Sequence, residues 1–406
     1  MEILIVIHKK TIYLFSTLLY VLAFARNSYA LNGSYKTYFS ESKTPYEDSY
    51  AGELTSTFRP KFTWSPNENY TFYAAYAVSV DWQKRSPLLL SGQKTKQEYR
   101  VLDLDQELYS SDKDNQKSSR VLLNQNLDRF YVSYSKNAFN LNVGRAPIAF
   151  GSSKIINPTD VLTPISYQTL DKEERVGIDT VRMNYSLGAL SLLDIGYVLG
   201  HKLDFSESAF FTRLKTNVWA TDVSVMLMDF QENLMMGVDF SRSIGKASGW
   251  LESAYVVPKF FNKDEKNDFK SYLRTTIGFD YKLTESIYSY IEYHYNGAGA
   301  SDPKRYMFLQ SQPAYQEGGV YLQGAHYVAP GMTYELSSLW KLTGQFLLNL
   351  NDHSIFNNLA LEYNVAQDAF IDLGAYVPAG KKSPLVPRSE FGSYPTSIYT
   401  SLRFYF

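Results

Sequence analysis

Beyond its first thirty residues this chain changes sides at every second position. Residues 70–82 place Phe72, Ala74, Tyr76, Val78, Val80 and Trp82 on one face of an extended strand and Tyr73, Ala75, Ala77, Ser79 and Asp81 on the other. Residues 54–64 put Leu54, Phe58, Phe62 and Trp64 on one side and Thr55, Thr57, Arg59, Lys61 and Thr63 on the opposite side. The last ten residues oppose Ile398, Thr400, Leu402, Phe404 and Phe406 to Tyr399, Ser401, Arg403 and Tyr405, and segments 287–295, 355–365 and 369–377 repeat the pattern. A period of two is the mark of a β-strand with unlike faces. One such strand is a weak signal; many in series, with no helical period between them, define an all-β chain.

Segments of about ten residues are long enough to cross a bilayer as tilted strands, whereas a spanning helix needs roughly 18 consecutive apolar residues. No run outside the N-terminus is that long. In hydrocarbon an unpaired sheet edge is very costly, so a membrane sheet closes on itself. The expected fold is a single transmembrane antiparallel β-barrel over residues 31–406. A soluble propeller would also alternate, but it would not explain outward faces so rich in Tyr, Phe and Leu.

The gaps between strands give the topology. Ser65–Asn69, Lys136–Ala138, Leu187–Ala189, Ser243–Ala247, Leu283–Ser286, Ser337–Leu339 and Ala366–Asp368 are short and suit periplasmic turns; 83–126, 147–174, 200–208, 258–268, 296–323 and 378–395 are long and suit extracellular loops. Alternation of the two kinds holds if Trp219-Ala220 is a tight turn, residues 31–40 are a first strand, and Gln231–Asn233 and Asn351–Ser354 are short outer loops. The count is then about 18 strands, with 16 as runner-up because 31–40 and 209–217 alternate least clearly.

Composition narrows the chemistry. The chain has no cysteine, which excludes disulfides and thiolate metal sites. Residues 1–30 resemble a secretory leader: Lys9 and Lys10 precede the apolar stretch Thr11–Ala25, and Ser28-Tyr29-Ala30 offers small residues at the −3 and −1 positions of a cut after Ala30. Removing them changes the formal charge from −1 to −3, with 37 basic and 40 acidic residues, which argues against a nucleic-acid partner.

A barrel of 16 to 18 strands is too wide for side chains to fill, so its inward charges can be hydrated. By strand phase these are Arg59, Lys61, Arg129, Arg274, Lys282 and Arg403, against Asp81, Asp194, Asp222, Asp239, Glu252, Asp280, Glu292, Glu335, Glu362 and Asp372. The cations gather on the first strands and the last, which meet at the closure. The expected result is a transverse field across a pore for small polar solutes, with weak cation preference. Trp64, Trp82, Trp250 and Trp340, near strand ends, suit aromatic girdles. Tyr288, Tyr290, Tyr376, Tyr399 and Tyr405 point inward by phase, where they could stack on a sugar.

The closing strand, ending on Phe406, resembles that of bacterial outer-membrane β-barrels. The resemblance implies an outer-membrane location in a Gram-negative bacterium, contact with lipid and lipopolysaccharide, and a terminal Phe read by the barrel-assembly machinery. Gly144-Arg145 followed by Asn157-Pro158-Thr159-Asp160, and the late stretch Ser389-Glu390-Phe391-Gly392…Pro395, resemble porin-like proteins, loosely of the alginate-export type. That likeness implies that loop 147–174 folds inward, with Arg145, Asn157 and Asp160 at the constriction; alternatively Arg145 and Asp160 brace the loop to the wall.

Other chemistry is thin. Loop 83–126, with Asp112–Lys117, suits a solvated surface loop or a lid. Asp264, Glu265 and Asp268 could attract calcium, but Lys263 and Lys266 oppose it. His294, near Glu292 and Ser289, is the one catalytic pairing worth naming, and a regular strand puts Ser289 and His294 on opposite faces. No glycine-rich phosphate loop or zinc spacing is present, so neither an enzyme nor a cofactor is expected. Besides the diffusion channel, an export conduit for a polysaccharide or hydrophobic product, which should have one charge sign, and a plugged surface-binding barrel remain open.

Overall fold

The computed structural model describes residues 29–46, 49–84, 99–102, 104–112, 119–262, 264, 269–383 and 387–406. Eighteen strands close the barrel, in chain order β1 (Tyr29–Lys43), β2 (Tyr50–Asn67), β3 (Tyr70–Lys84), β5 (Ser119–Lys136), β6 (Phe139–Ala146), β7 (Ile178–Gly188), β8 (Ser191–Val198), β9 (Ala209–Val218), β10 (Thr221–Phe230), β11 (Asn233–Ile244), β12 (Ala247–Val257), β13 (Tyr272–Lys282), β14 (Ile287–Asn296), β15 (His326–Glu335), β16 (Trp340–Asn349), β17 (Ser354–Ala366), β18 (Ala369–Ala379) and β19 (Thr396–Tyr405). A nineteenth short strand, β4 (Gln106–Ser110), pairs with the outer part of β5. Every neighbour is antiparallel, and β1 pairs with both β2 and β19, which removes the sheet edge.

The turns follow from local chemistry. Trp219 and Ala220 (φ 52° and 59°), and Gln231 and Glu232 (φ 46° and 68°), form two-residue hairpins with left-handed backbone, the geometry that matches strand twist. The expected gap 83–126 is shorter than the sequence suggests: β3 runs to Lys84 and β5 starts at Ser119. The added part of β5 reads Val121-Leu122-Leu123 followed by Asn124-Gln125-Asn126, three apolar and then three polar residues, so its period of two is hidden. Asp112 is described, but Lys113–Lys117 lie outside the described residues, as do Lys263, Glu265, Lys266 and Asp268 and the leader residues 1–28.

Outward faces are apolar: Val225, Leu227, Ile277, Phe279, Leu373 and Ile398 are all exposed. The C-terminus sits in the closure seam, where Phe406 exchanges backbone hydrogen bonds with Gly33 and its ring stacks on Phe58 at 5.7 Å. Trp64–Phe72 (5.0 Å) and Trp340–Tyr363 (4.4 Å) stack at the short-turn rim, as a girdle requires. Trp250 does not belong to that girdle. It shares the phase of Glu252, is buried, and donates its Nε1–H inward to Glu292 at 3.0 Å.

The interior is not uniformly polar. One apolar cluster joins Ile148, Phe150, Val161 and Leu162 to Phe211, Met226, Met228, Met235 and Val256 on the β9–β12 wall. A second joins Ile156 and Tyr167 to Tyr327, Phe356, Tyr376, Phe391 and Tyr399. Both centre on residues 147–177, the segment between β6 and β7.

Candidate functional site

This segment leaves the wall at Ala146 and is held against inward-facing side chains on distant strands. Its first half meets carboxylates. Thr159 donates its N–H (2.8 Å) and hydroxyl (2.7 Å) to Glu252 on β12, and Ser153 donates its N–H at 3.1 Å. Lys154 and Ile155 donate backbone N–H groups to Glu292 on β14, the latter at 3.0 Å. Thr276 on β13 donates its hydroxyl to the Ile156 carbonyl at 2.9 Å. Gly151 is essential to this approach: its φ is +88°, and a Cβ there would lie 2.4 Å from both Glu252 carboxylate oxygens. Both carboxylates are fully buried, a state tolerable only because these donors surround them.

The second half meets cations. Lys36 on β1 reaches Asp171 at 3.1 Å and Glu173 at 2.7 Å. Arg403 on β19 also pairs with Glu173, while Lys61 (2.9 Å), Arg129 (3.0 Å) and Arg59 converge on Glu174. Burial works against ionisation of Glu173, but hydrogen bonds from Lys36 and Tyr405 and the neighbouring charges prevail and hold its carboxyl at about 2. Glu174 is lowered too, the charges and hydrogen bonds of Lys61, Arg59 and Arg129 outweighing its burial.

Between these anchors the loop borders a cavity open to solvent, lined by Lys154, Asn157, Asp160, Tyr167, Lys172, Arg175 and Tyr321. Asp160 pairs with Arg175, and burial pushes its carboxyl up to about 6 against that pull. Lys172 has only Gln345 in reach, at 3.4 Å; it is exposed, yet desolvation lowers its pKa, as for a group facing a hole inside a protein. A second cavity lies on the other flank, with Arg213, Lys215, Asp222 and Asp239.

Asn157 and Asp160 thus share the first cavity. Arg145 does not border it. Gly144 (φ +124°) turns the strand end, and Arg145 bonds Asp179 (2.7 Å), the Leu127 carbonyl (3.0 Å) and the Leu102 carbonyl (2.8 Å), tying β5 and β7 to residues 99–102. Asp280 pairs with Lys154 at 3.2 Å, Asp239 accepts from Ser152, Asp222 from Asn217 (2.9 Å) and Asp81 from Asn124 (2.6 Å). Arg274, buried, approaches the Pro158 carbonyl at 3.5 Å. Glu362 pairs with Lys341 and Arg403, Asp372 with Arg403 at 3.0 Å, and Glu335 and Lys282 lie exposed near the short-turn rim. His294 is buried against Thr276 (2.9 Å), and Ser289 instead donates to the Tyr281 carbonyl. Of the inward tyrosines, Tyr376 and Tyr399 pack 5.0 Å apart in the second apolar cluster.

Strand phase also places five cations inside that the sequence reading missed: Lys36, Lys341, Lys215, and Arg182 and Arg213, which flank the fully buried Asp194 at 2.8 and 2.9 Å. Alternation in segments 31–40, 180–186, 209–217 and 340–349 carries that signal. Asp128 is different. It is the extra residue of a bulge opposite Ala75 and Tyr76, so it turns inward to Arg59 from a position that simple alternation assigns to lipid.

No family model matches the chain, and no curated protein is significantly similar to it. Solved structures are. OccK9 (OpdG) of Pseudomonas aeruginosa superimposes with a TM-score of 0.60 at 8% identity, covering 93% of this chain and 98% of the other. OccAB2 of Acinetobacter baumannii gives 0.59 at 7% identity with coverages of 93% and 98%, and OprD of Pseudomonas aeruginosa gives 0.56 at 10% with 93% of each chain. The fold is that of an outer-membrane porin. At such low identity the likeness establishes the porin architecture, and the inner surface has to be read from this chain's own residues.

Proposed function

We propose that this porin-fold chain is an outer-membrane channel for diffusion of small polar solutes, narrowed where residues 147–177 cross its interior. One observation carries the reading: a single segment is bonded both to the carboxylates of β12 and β14 and to the cations of β1, β2, β5 and β19, on either side of a solvent-open cavity. Arg145 serves as the brace of that segment's root, and Asn157, Asp160 and Lys172 face the permeating solute. Weak cation preference is supported by the inward carboxylates named above that make no salt bridge among the described residues, Asp81, Asp222, Asp239 and Glu335, against Arg274, Lys172 and Lys215.

Chemistry at this site is recognition without bond making. Opposed charges orient dipolar solutes and hinder apolar ones, and the gap sets the size limit. Walls of mixed sign do not favour a polymer-export conduit. We also propose that residues 1–30 are removed on export; in the folded chain Tyr29 and Ala30 add only the outermost pairs to β2, with Trp64 and Thr63. Phe406, in the closure seam, is the element offered to the assembly machinery, and the outward belt contacts lipid and lipopolysaccharide.

The test is conductance of the purified protein in a planar bilayer under a salt gradient. Stable steps with a reversal potential mildly on the cation side are expected. A silent protein would remove the channel reading.

A further inference from the structure

Five cations from β19, β1, β2 and β5, with β3 between the last two, line one side of the lumen: Arg403, Lys36, Arg59, Lys61 and Arg129. Two of them, Lys36 and Arg59, are almost closed to water, while Arg403, Arg129 and Lys61 are partly buried. Side-chain exposure is 4% for Lys36 and 5% for Arg59, whereas Glu173, which covers Lys36, is 40% exposed. Among the described residues the wall supplies Asp128, Glu362 and Asp372 as its own counter-charges, too few for five cations and Lys341. The deficit is filled from the loop, by Asp171, Glu173 and Glu174. Water reaches one partner of each of these pairs, so a competing ion can approach it, unlike the sealed carboxylate–amide bonds on the opposite wall.

We propose that the run Asp171–Glu174 is a built-in occupant of an anion-binding track: its carboxylates sit where the negative groups of a solute would sit, and they set the sign of the pore's selectivity. The proposal rests on the channel reading above. With the three carboxylates in place, the track is neutralised and anions find no unpaired cation along it. With them neutralised, the same wall holds cations in excess and attracts anions such as inorganic phosphate. The loop stays in place because Glu252 and Glu292 hold its other half.

The test compares the wild type with the triple variant Asp171→Asn, Glu173→Gln, Glu174→Gln and the single variant Glu173→Gln, in planar bilayers under a KCl gradient, with and without inorganic phosphate. The triple variant is expected to raise the chloride-to-potassium permeability ratio several-fold and to become sensitive to block by phosphate, while the wild type stays insensitive. Glu173→Gln should move both readings the same way by less, and it decides the matter if the triple variant does not assemble. Variants that conduct with unchanged permeability ratio and no phosphate block would overturn the proposal while leaving the channel reading intact. A wild type that never conducts would instead remove the channel reading beneath it.

Discussion

The crossing loop is fastened to its two walls in opposite ways. On the β12–β14 side, buried Glu252 and Glu292 accept backbone N–H groups, and no water competes. On the β19–β1–β2–β5 side, cations meet loop carboxylates that remain open to the lumen. A buried carboxylate deprived of its donors is strongly unfavourable, whereas an ion pair whose carboxylate is reached by water stays open to competing ions. The first wall therefore fixes where the loop is. In our proposal the second decides what charge the passage shows.

Breaking the first wall has the largest expected effect. Glu252→Ala leaves two amides and a hydroxyl without their acceptor, and hydrogen bonds to a charged group contribute about 1.5–3 kcal/mol each. The loop should detach locally, giving larger and noisier single-channel currents. Unchanged current steps would mean that the loop does not limit flow. Next comes the second wall. Arg59→Glu together with Arg403→Glu should shift the reversal potential further toward potassium with little change in conductance; a potential equal to wild type would place those side chains off the permeation path.

Acidity separates the walls more gently. The Glu173 carboxyl, held at about 2 against 4.5 unfolded, contributes stability that is present above the unfolded value and is lost only as pH falls through about 2. The part of the selectivity set by Glu173 should therefore stay flat from pH 8 down to about pH 4, and any change in that window belongs to Asp160, raised to about 6. Burial does the reverse to Glu390, raised to about 7 and bonded to Tyr327, Asn349 and Gln323 where the late loop packs on the wall. That contribution is complete below the unfolded pKa and is lost as pH rises through about 7. Thermal unfolding of the refolded barrel should come at lower temperature at pH 8 than at pH 5, and Glu390→Gln should flatten the difference. The smallest effect belongs to Glu285→Gln, which breaks an exposed rim pair with Lys282 and should alter neither current nor stability measurably.

The two walls were unequally legible in the sequence. Alternation set the strand number and closure, because a period of two is a direct image of a sheet with lipid on one side. It also placed Glu252, Glu292, Arg59 and Arg403 on the inner face. It could not show that Glu252 caps Thr159 or that Glu174 gathers Arg59, Lys61 and Arg129, because those pairs join residues separated by some 45 to 115 positions and depend on the path of an irregular loop. Asp128 was hidden by a bulge, and Trp250 was read by its nearness to a strand end instead of by its phase.

In the proposed channel, water and solutes pass beside the crossing loop. The chain has no cysteine, so Lys172→Cys gives a single thiol at the solvent-open cavity. Treating the reconstituted variant with a negatively charged thiol reagent should reduce single-channel conductance stepwise and shift its reversal potential further toward potassium. Complete labelling that leaves both current and potential unchanged would contradict it.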